Sequence, residues 1–210
     1  MPDVRVFAYM RMIWTSAIGF AFHAVCAQPG ALDPSFAGTG VVTTTAGSFI
    51  SDALDIAVQA DGKVVVAGYA AEGADWDIAL ARYDLDGSLD GAFGAGGIVT
   101  TDIYGNGDQA GALVITDDQK IVVASSSWVD AFDGPVALAR YDSNGTLDST
   151  FGSNGVALFY LSTSVVEITD LALQVDGKLV VAGNTSNNDA FLIRCGADGE
   201  DDPDGFAQPY

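Results

Sequence analysis

Three short strings return in the same order three times along a chain of 210 residues, and this periodicity constrains the fold more than any single motif does. LDPSFAGTG begins at Leu32 and recurs as LDGAFGAGG from Leu89 and LDSTFGSNG from Leu147, spaced by 57 and 58 residues. ADGKVVVAG from Ala60 keeps the same spacing with DDQKIVVAS from Asp117 and VDGKLVVAG from Val175. IALARYD from Ile78 returns as VALARYD from Val136, and as FLIRCGA from Phe191 with one residue fewer before its arginine. A unit repeated in this way cannot bury its apolar face alone, so neighbouring copies must stack and share a core. The basic residues keep the same register. Beyond Arg11 they are Lys63, Lys120 and Lys178, each just past a turn, and Arg82, Arg140 and Arg194, each near the end of an apolar run. The lysines read as solvated hairpin flanks. The arginines interrupt apolar strands and read as structural partners of turn carboxylates.

Within one repeat the alternation of Leu54, Ile56 and Val58 predicts a strand from Ala53 to Gln59. Asp61-Gly62 predicts a two-residue type I′ turn, and the β-branched run from Lys63 to Ala67 predicts the returning strand. A third strand is expected at Ile78 to Tyr83 and a fourth at Ile98 to Thr101, after the LDxxF segment. The second strand is apolar on both faces, which suits a sheet covered on each side by another sheet. The 25 glycines fit a turn-rich β protein, as does the fact that 25 of the 28 acids are Asp, which favours turns over helices. The expected fold is all-β and β-propeller-like, with about three four-stranded antiparallel blades, as a partial propeller or as part of a larger ring.

At these strings the chain resembles the delta-60 repeat proteins of bacteria, whose pattern runs roughly LDxSFGxxGxVxT, AxAVQxDGKIVVAG and FALARYxxDG. The likeness extends from Leu32 to Asp198 and combines three motifs at fixed spacing. It implies a secreted or cell-surface β-propeller with no established catalytic activity. The chain departs from the pattern at Gln119, where the turn expects Gly, at Ser125, which replaces the Gly after VVA, and at Cys195, which stands where Tyr83 and Tyr141 stand in the other repeats.

The N-terminal segment has a different character. Arg5 and Arg11 precede a mostly apolar stretch from Met12 to Val25, and Val25-Cys26-Ala27 reads as a small-residue cleavage site. Residues 1–27 are therefore expected to be a signal peptide, residues 28–195 three repeats starting near 32, 89 and 147, and residues 196–210 a degenerate tail. Cleavage before Gln28 removes His23 and leaves one cysteine, Cys195, with six basic and 27 acidic residues. That inventory excludes an intrachain disulfide, a Cys/His zinc site and any His-dependent catalytic triad. A net charge of −20 leaves no basic stripe for nucleic acid. No membrane span is expected after signal removal. The location implied is secreted, periplasmic or at a bacterial cell surface.

Two sets of side chains are candidate sites. Asp84, Asp86 and Asp90, and in the next repeat Asp142, Asn144 and Asp148, place oxygen atoms at alternate positions around a Gly turn, loosely as a calcium loop does, although no closing bidentate acid is evident. The same pattern serves plain turns without an ion. Trp76 with Asp77, and Trp128 with Asp130 and Asp133, fall between the second and third strands and are candidates either for sugar contact or for packing over blade ends. No cofactor other than calcium is implied. The function expected is that of a non-catalytic secreted binding or structural module. The alternative is a carboxylate-based enzyme such as a glycosidase or lyase, built on the non-repeated acids Asp102, Asp108, Asp130, Asp133 and Glu167. Three blades are fewer than a closed ring uses, so Val41 to Thr45 is expected to form a strand that closes the last blade. The partners expected are another copy of the chain or an extracellular protein or glycan.

Overall fold

The computed structural model describes residues 30–46, 51–72, 75–104, 107–128, 134–163 and 165–202. The predicted signal peptide, Asp130, Asp133 and the tail beyond Asp202 lie outside them. The chain divides into two compact units, Met1–Leu32 and Asp33–Tyr210, and the second carries the repeats.

Eleven strands occur among the described residues, and no helix. β1 (Ser51–Val58), β2 (Val64–Glu72), β3 (Asp75–Tyr83) and β4 (Ile98–Thr101) form a first antiparallel blade. β5 (Gly107–Ile115), β6 (Ile121–Trp128), β7 (Val136–Tyr141) and β8 (Val156–Phe159) repeat it. β9 (Val165–Leu173), β10 (Leu179–Thr185) and β11 (Ala190–Cys195) give a third sheet of three strands. β1 lies beside β5, and β5 beside β9, so the first strands of successive blades are neighbours.

Blade stacking makes the core. Val65, Ala67, Ile78 and Leu80 of the first blade meet Ala110, Leu113, Ile121, Val123, Ala139 and Tyr141 of the second. The opposite face of the second blade, with Ala112, Val122, Ala124, Val136 and Leu138, meets Ile168, Leu171, Leu179, Val181, Phe191 and Ile193 of the third. β6 is buried on both faces from Ile121 to Ser127, as an apolar run inside a stack requires.

Two expectations are corrected. The hairpin turn is a three-residue loop: Gln59 N–H donates to the Lys63 carbonyl and Gly62 N–H to the Gln59 carbonyl, with Gly62 alone at positive φ. A type I′ turn would also need Asp61 in the left-handed region, whereas the observed loop needs a single such residue. Gln119 takes that conformation without being glycine, at φ 65°, and its side chain accepts a bond from Ala60 N–H in the first blade. The second correction concerns Val41 to Thr45, which form no strand and do not close the third blade. Val41 to Thr44 line a groove on the outer face of the first blade instead, and Ala46 packs there on Ala70 and Ala79.

Candidate functional site

Each repeat gathers one Lys, one Arg and one Asp around the start of its LDxxF segment. Asp90 Oδ2 lies 2.7 Å from Lys63 Nζ and 2.7 Å from Arg82 Nη2. Asp148 Oδ2 lies 2.6 Å from Lys120 Nζ and 2.7 Å from Arg140 Nε. In the third blade Asp202 takes the same place, with Lys178 at 2.9 Å and Arg194 at 2.6 Å. The lysines are therefore half-buried members of ion pairs, which corrects the expectation of free, solvated flanks. The Asp two residues before Ala92 or Thr150 also accepts that residue's amide, so the carboxylate fixes the turn as well as the cations. The bond from Lys63 leads the effects that hold the Asp90 carboxyl down to about 2. Burial opposes ionisation of Asp148, but Lys120, Thr150 and Arg140 outweigh it and its carboxyl is also held low.

The arginines reach across the stack. Arg82 lies over the Phe93 ring and its Nη1 donates to the Ser143 carbonyl of the second blade. Arg140 lies over Phe151 and donates to the Ala197 carbonyl of the third at 2.6 Å. A backbone bond repeats beside each: Gly94 N–H to the Asn144 carbonyl at 2.8 Å, and Gly152 N–H to the Asp198 carbonyl at 2.7 Å. Every repeated charge thus helps to hold one blade to itself or to the next.

The carboxylates considered for calcium are engaged in this way. Asp84 Oδ1 is 2.8 Å from Lys63 Nζ and Asp142 Oδ1 is 3.7 Å from Lys120 Nζ, while Asp86 and Asn144 accept bonds from Ser88 and Thr146 of their own turns. Among the described residues no three His, Cys, Asp or Glu side chains gather in a metal-holding group. The tryptophans lie in strands and not in the connecting loops expected, Trp76 in β3 and Trp128 at the end of β6, because the second and third strands extend further than their apolar cores. The two rings come together. Trp76 stacks on Tyr69 with centroids 4.9 Å apart, and Trp128 meets Trp76 edge-on at 5.9 Å. Trp128 lies against the backbone of Gly107, where a Cβ would fall 2.5 Å from its ring. Tyr69 in turn donates to Asp52 at 2.6 Å. Asp77 pairs through the backbone with Ala70 in the same blade, and Asp130 lies outside the described residues.

Of the five non-repeated acids, Asp102, Asp108 and Glu167 lie among the described residues, and of these Asp102 is near enough to Asp108 to help raise its carboxyl. Asp108 is buried, accepting from the amides of Ile103 and Tyr104 at 2.7 and 3.1 Å, and burial raises its carboxyl above the ordinary range against the pull of Ser127. Asp102 lines a cavity with Glu200 and Asp201. Glu167 lines a pocket of about 260 Å³ with Leu54, Gln109 and Ser126, where the first strands of the blades meet. Ser125, Ser126 and Ser127 form a buried hydroxyl run absent from the other repeats. The sequence signal for it was the Ser-Ser-Ser string following VVA.

What the repeats leave open is apolar. Leu192 is 55% exposed, whereas Leu80 and Leu138, its equivalents in the first two repeats, are fully buried. At the other end of the stack Ile56 is 62% exposed, whereas its equivalents Leu113 and Leu171 are buried. Beside Ile56 a groove of about 540 Å³ runs over Val64, Val66 and Ala79 of the first blade and is bordered by Val41 and Val42. The arginines were legible as repeated features, but these open faces could be located only by knowing which neighbour each blade has.

Residues 59–93, 117–151 and 174–204 match the family model described as "Domain of unknown function (DUF5122) beta-propeller". No curated protein matches the chain. Among solved structures, a catalytically inactive virginiamycin B lyase from Staphylococcus aureus, crystallised with quinupristin, is similar at 12% identity and a TM-score of 0.29. The likeness covers 71% of this chain and 57% of that one, and it is too distant to carry chemistry between them. The strand order, the stacked sheets and the three matched stretches together make this a chain of β-propeller repeats.

Proposed function

We propose that the chain is a non-catalytic, secreted binding or structural module that works through the open apolar ends of its blade stack. The observation that carries this reading is the contrast between Leu192 and its buried equivalents Leu80 and Leu138: the same repeat position is core twice and surface once. Contiguous apolar surface of this kind marks interaction sites. The repeated polar groups, by contrast, are engaged in ion pairs and in bonds between blades, which leaves the repeats no recurring chemistry to offer a substrate. The alternative, a carboxylate-based glycosidase or lyase, draws on Asp108, whose raised pKa is of the kind a general acid needs. Its burial at 1% exposure speaks against access.

A dye that fluoresces on apolar surfaces separates the two readings. At submicromolar protein, where association does not cover these faces, the native chain should bind 8-anilinonaphthalene sulfonate, and Ile56→Asp and Leu192→Asp should each remove part of the signal. No polysaccharide, neutral or uronic, should release reducing ends or unsaturated products. Turnover that disappears in Asp108→Asn would overturn this reading in favour of the enzyme.

A further inference from the structure

We infer that a second copy of this chain docks head to tail, the outer face of one copy's third blade on the open face of the other copy's first blade. In this contact the incoming copy's Val41–Thr44 supplies the fourth strand that the third blade lacks among the described residues. This deepens the proposed binding role by naming the partner, and it rests on that reading. The two ends of the stack continue an interface that the chain already makes twice. Val180, Ala182 and Leu192 of the third blade occupy the positions of Val65, Ala67 and Leu80 and of Val122, Ala124 and Leu138, all of which are buried against a following blade. On the first blade Ile56, Val64 and Val66 occupy the positions of Leu113, Ile121 and Val123 and of Leu171, Leu179 and Val181, all buried against a preceding one. Each open face therefore has the shape and chemistry of one half of an existing joint.

The segment from Asp33 to Thr44 is already set as the end of a preceding blade. Ala37 N–H donates to the Asp86 carbonyl at 2.6 Å, the counterpart of the Gly94–Asn144 and Gly152–Asp198 bonds that join successive blades. Phe36 sits against Gly87 as Phe93 sits against Gly145 and Phe151 against Gly199. Val42 lies over the groove of the first blade, and its equivalent Val99 reaches Gly145 of the second. Asp33 accepts from Ser35 N–H, as Asp90 does from Ala92, but among the described residues no Lys or Arg meets it. What this segment lacks among the described residues is the third strand it would pair with. β11 lacks the converse: among the described residues its only strand partner is β10.

The internal blades fix the register. In the first blade Ile78, Ala79, Leu80 and Ala81 pair with Thr101, Thr100, Val99 and Ile98. In the second Val136, Ala137, Leu138 and Ala139 pair with Phe159, Leu158, Ala157 and Val156. Carried over, Ala190, Phe191, Leu192 and Ile193 pair with Thr44, Thr43, Val42 and Val41 of the other copy. Adding a strand to an open edge satisfies its backbone groups, while the apolar faces supply the burial. The contact is heterologous. Two such contacts between two three-bladed stacks give six blades, within the range in which propeller rings close.

Sedimentation velocity of the full secreted chain, from 0.5 to 100 μM, tests this with exposed-site variants that leave the core intact. The native chain should dimerise, and Ile56→Asp and Leu192→Asp should each weaken the dimer at least tenfold. Mixing the two variants should restore dimers, because one intact face of each kind is then available. A double variant with Val42→Cys and Leu192→Cys should form an intermolecular disulfide on mild oxidation, whereas Val42→Cys with Ala190→Cys should not. A monomer throughout the range would overturn the proposal. So would a dimer indifferent to both substitutions, or variants that fail to complement each other. Dye binding by the native chain that falls in the Asp variants, with no dimer at any concentration, would overturn the head-to-tail contact and leave the binding role standing with a different partner, while turnover in a dimer would remove the binding role and leave the contact.

Discussion

Leu138 and Leu192 occupy the same place in successive repeats, and truncating each to Ala isolates what a following blade contributes. Leu138 is fully buried between the second and third blades, among Val122, Val136, Phe191 and Ile193. Leu138→Ala removes the Cγ methine and its two methyl groups from a site walled on both sides, which costs about 3 kcal/mol within the usual range of 2–5. For a repeat region of this size that lowers the melting temperature by about 6–12 °C. Leu192 is 55% exposed, so truncation there loses roughly half the transfer energy and leaves no cavity, a cost below about 1 kcal/mol. Urea unfolding at 0.5 μM, where association is suppressed, reads both values from the midpoints. Equal costs at the two positions would refute the reasoning, since Leu192 would then have a cover that the described residues do not supply. Raising the protein to 100 μM should widen the cost of Leu192→Ala and leave that of Leu138→Ala unchanged.

Three further outcomes follow from the ion pairs. Asp148→Asn leaves Lys120 and Arg140 facing an uncharged amide in a mostly buried setting, and should destabilise by about 2–3 kcal/mol, at or just below the range for breaking a buried pair because the lysine keeps some water contact. Thermal melts of the variant and of Lys120→Met check this, the methionine being the milder change because it removes the charge and keeps the stem. The carboxyl of Asp90 is held at about 2, below its ordinary value of about 3.9, so its stabilisation is complete above pH of about 4 and is lost as pH falls toward 2. Acid titration followed by circular dichroism should show that loss in this window, and Asp90→Asn should flatten it. Millimolar calcium or a chelator should leave the melting curve unchanged, because Asp84, Asp90 and Asp148 already face cations of the chain. A rise of several degrees with calcium would show that these turns open to admit the ion.

Periodicity made the blades legible because each repeat had to bury its neighbour. Ile98 to Thr101 was readable from sequence alone, and the structure ends β4 at the same residues. The turn was misread because Asp-Gly signals a left-handed glycine without saying how many residues precede it, and the backbone here spends three on the loop. The lysines were misread for a different reason. A residue beside a turn looks solvated until the LDxxF aspartate, 27 or 28 residues further on, folds back beneath it. Trp76 and Trp128 read as loop residues of two repeats, but they stand in β3 and at the end of β6, where the strands run on past their apolar stretches. That they meet each other depends on the parallel bridge from Trp76 to Gly107, a contact between blades for which the sequence carries no local mark.

Val41 to Thr45 show most clearly where sequence reading runs out. Their pattern matches Ile98 to Thr101 and predicts a strand, yet a strand is a relation between two segments and its partner must be present. In the first two blades the third strand lies next to the fourth in sequence, joined by the LDxxF turn, so pairing is local. For Val41 to Thr45 the repeat order assigns the partner to a blade that would precede the first. The contacts that do not depend on that partner are made all the same, as the bond from Ala37 to Asp86 and the seat of Phe36 on Gly87 attest. The half of the motif that faces the next blade is built, and the half that needs a preceding third strand is left as irregular backbone over an apolar groove.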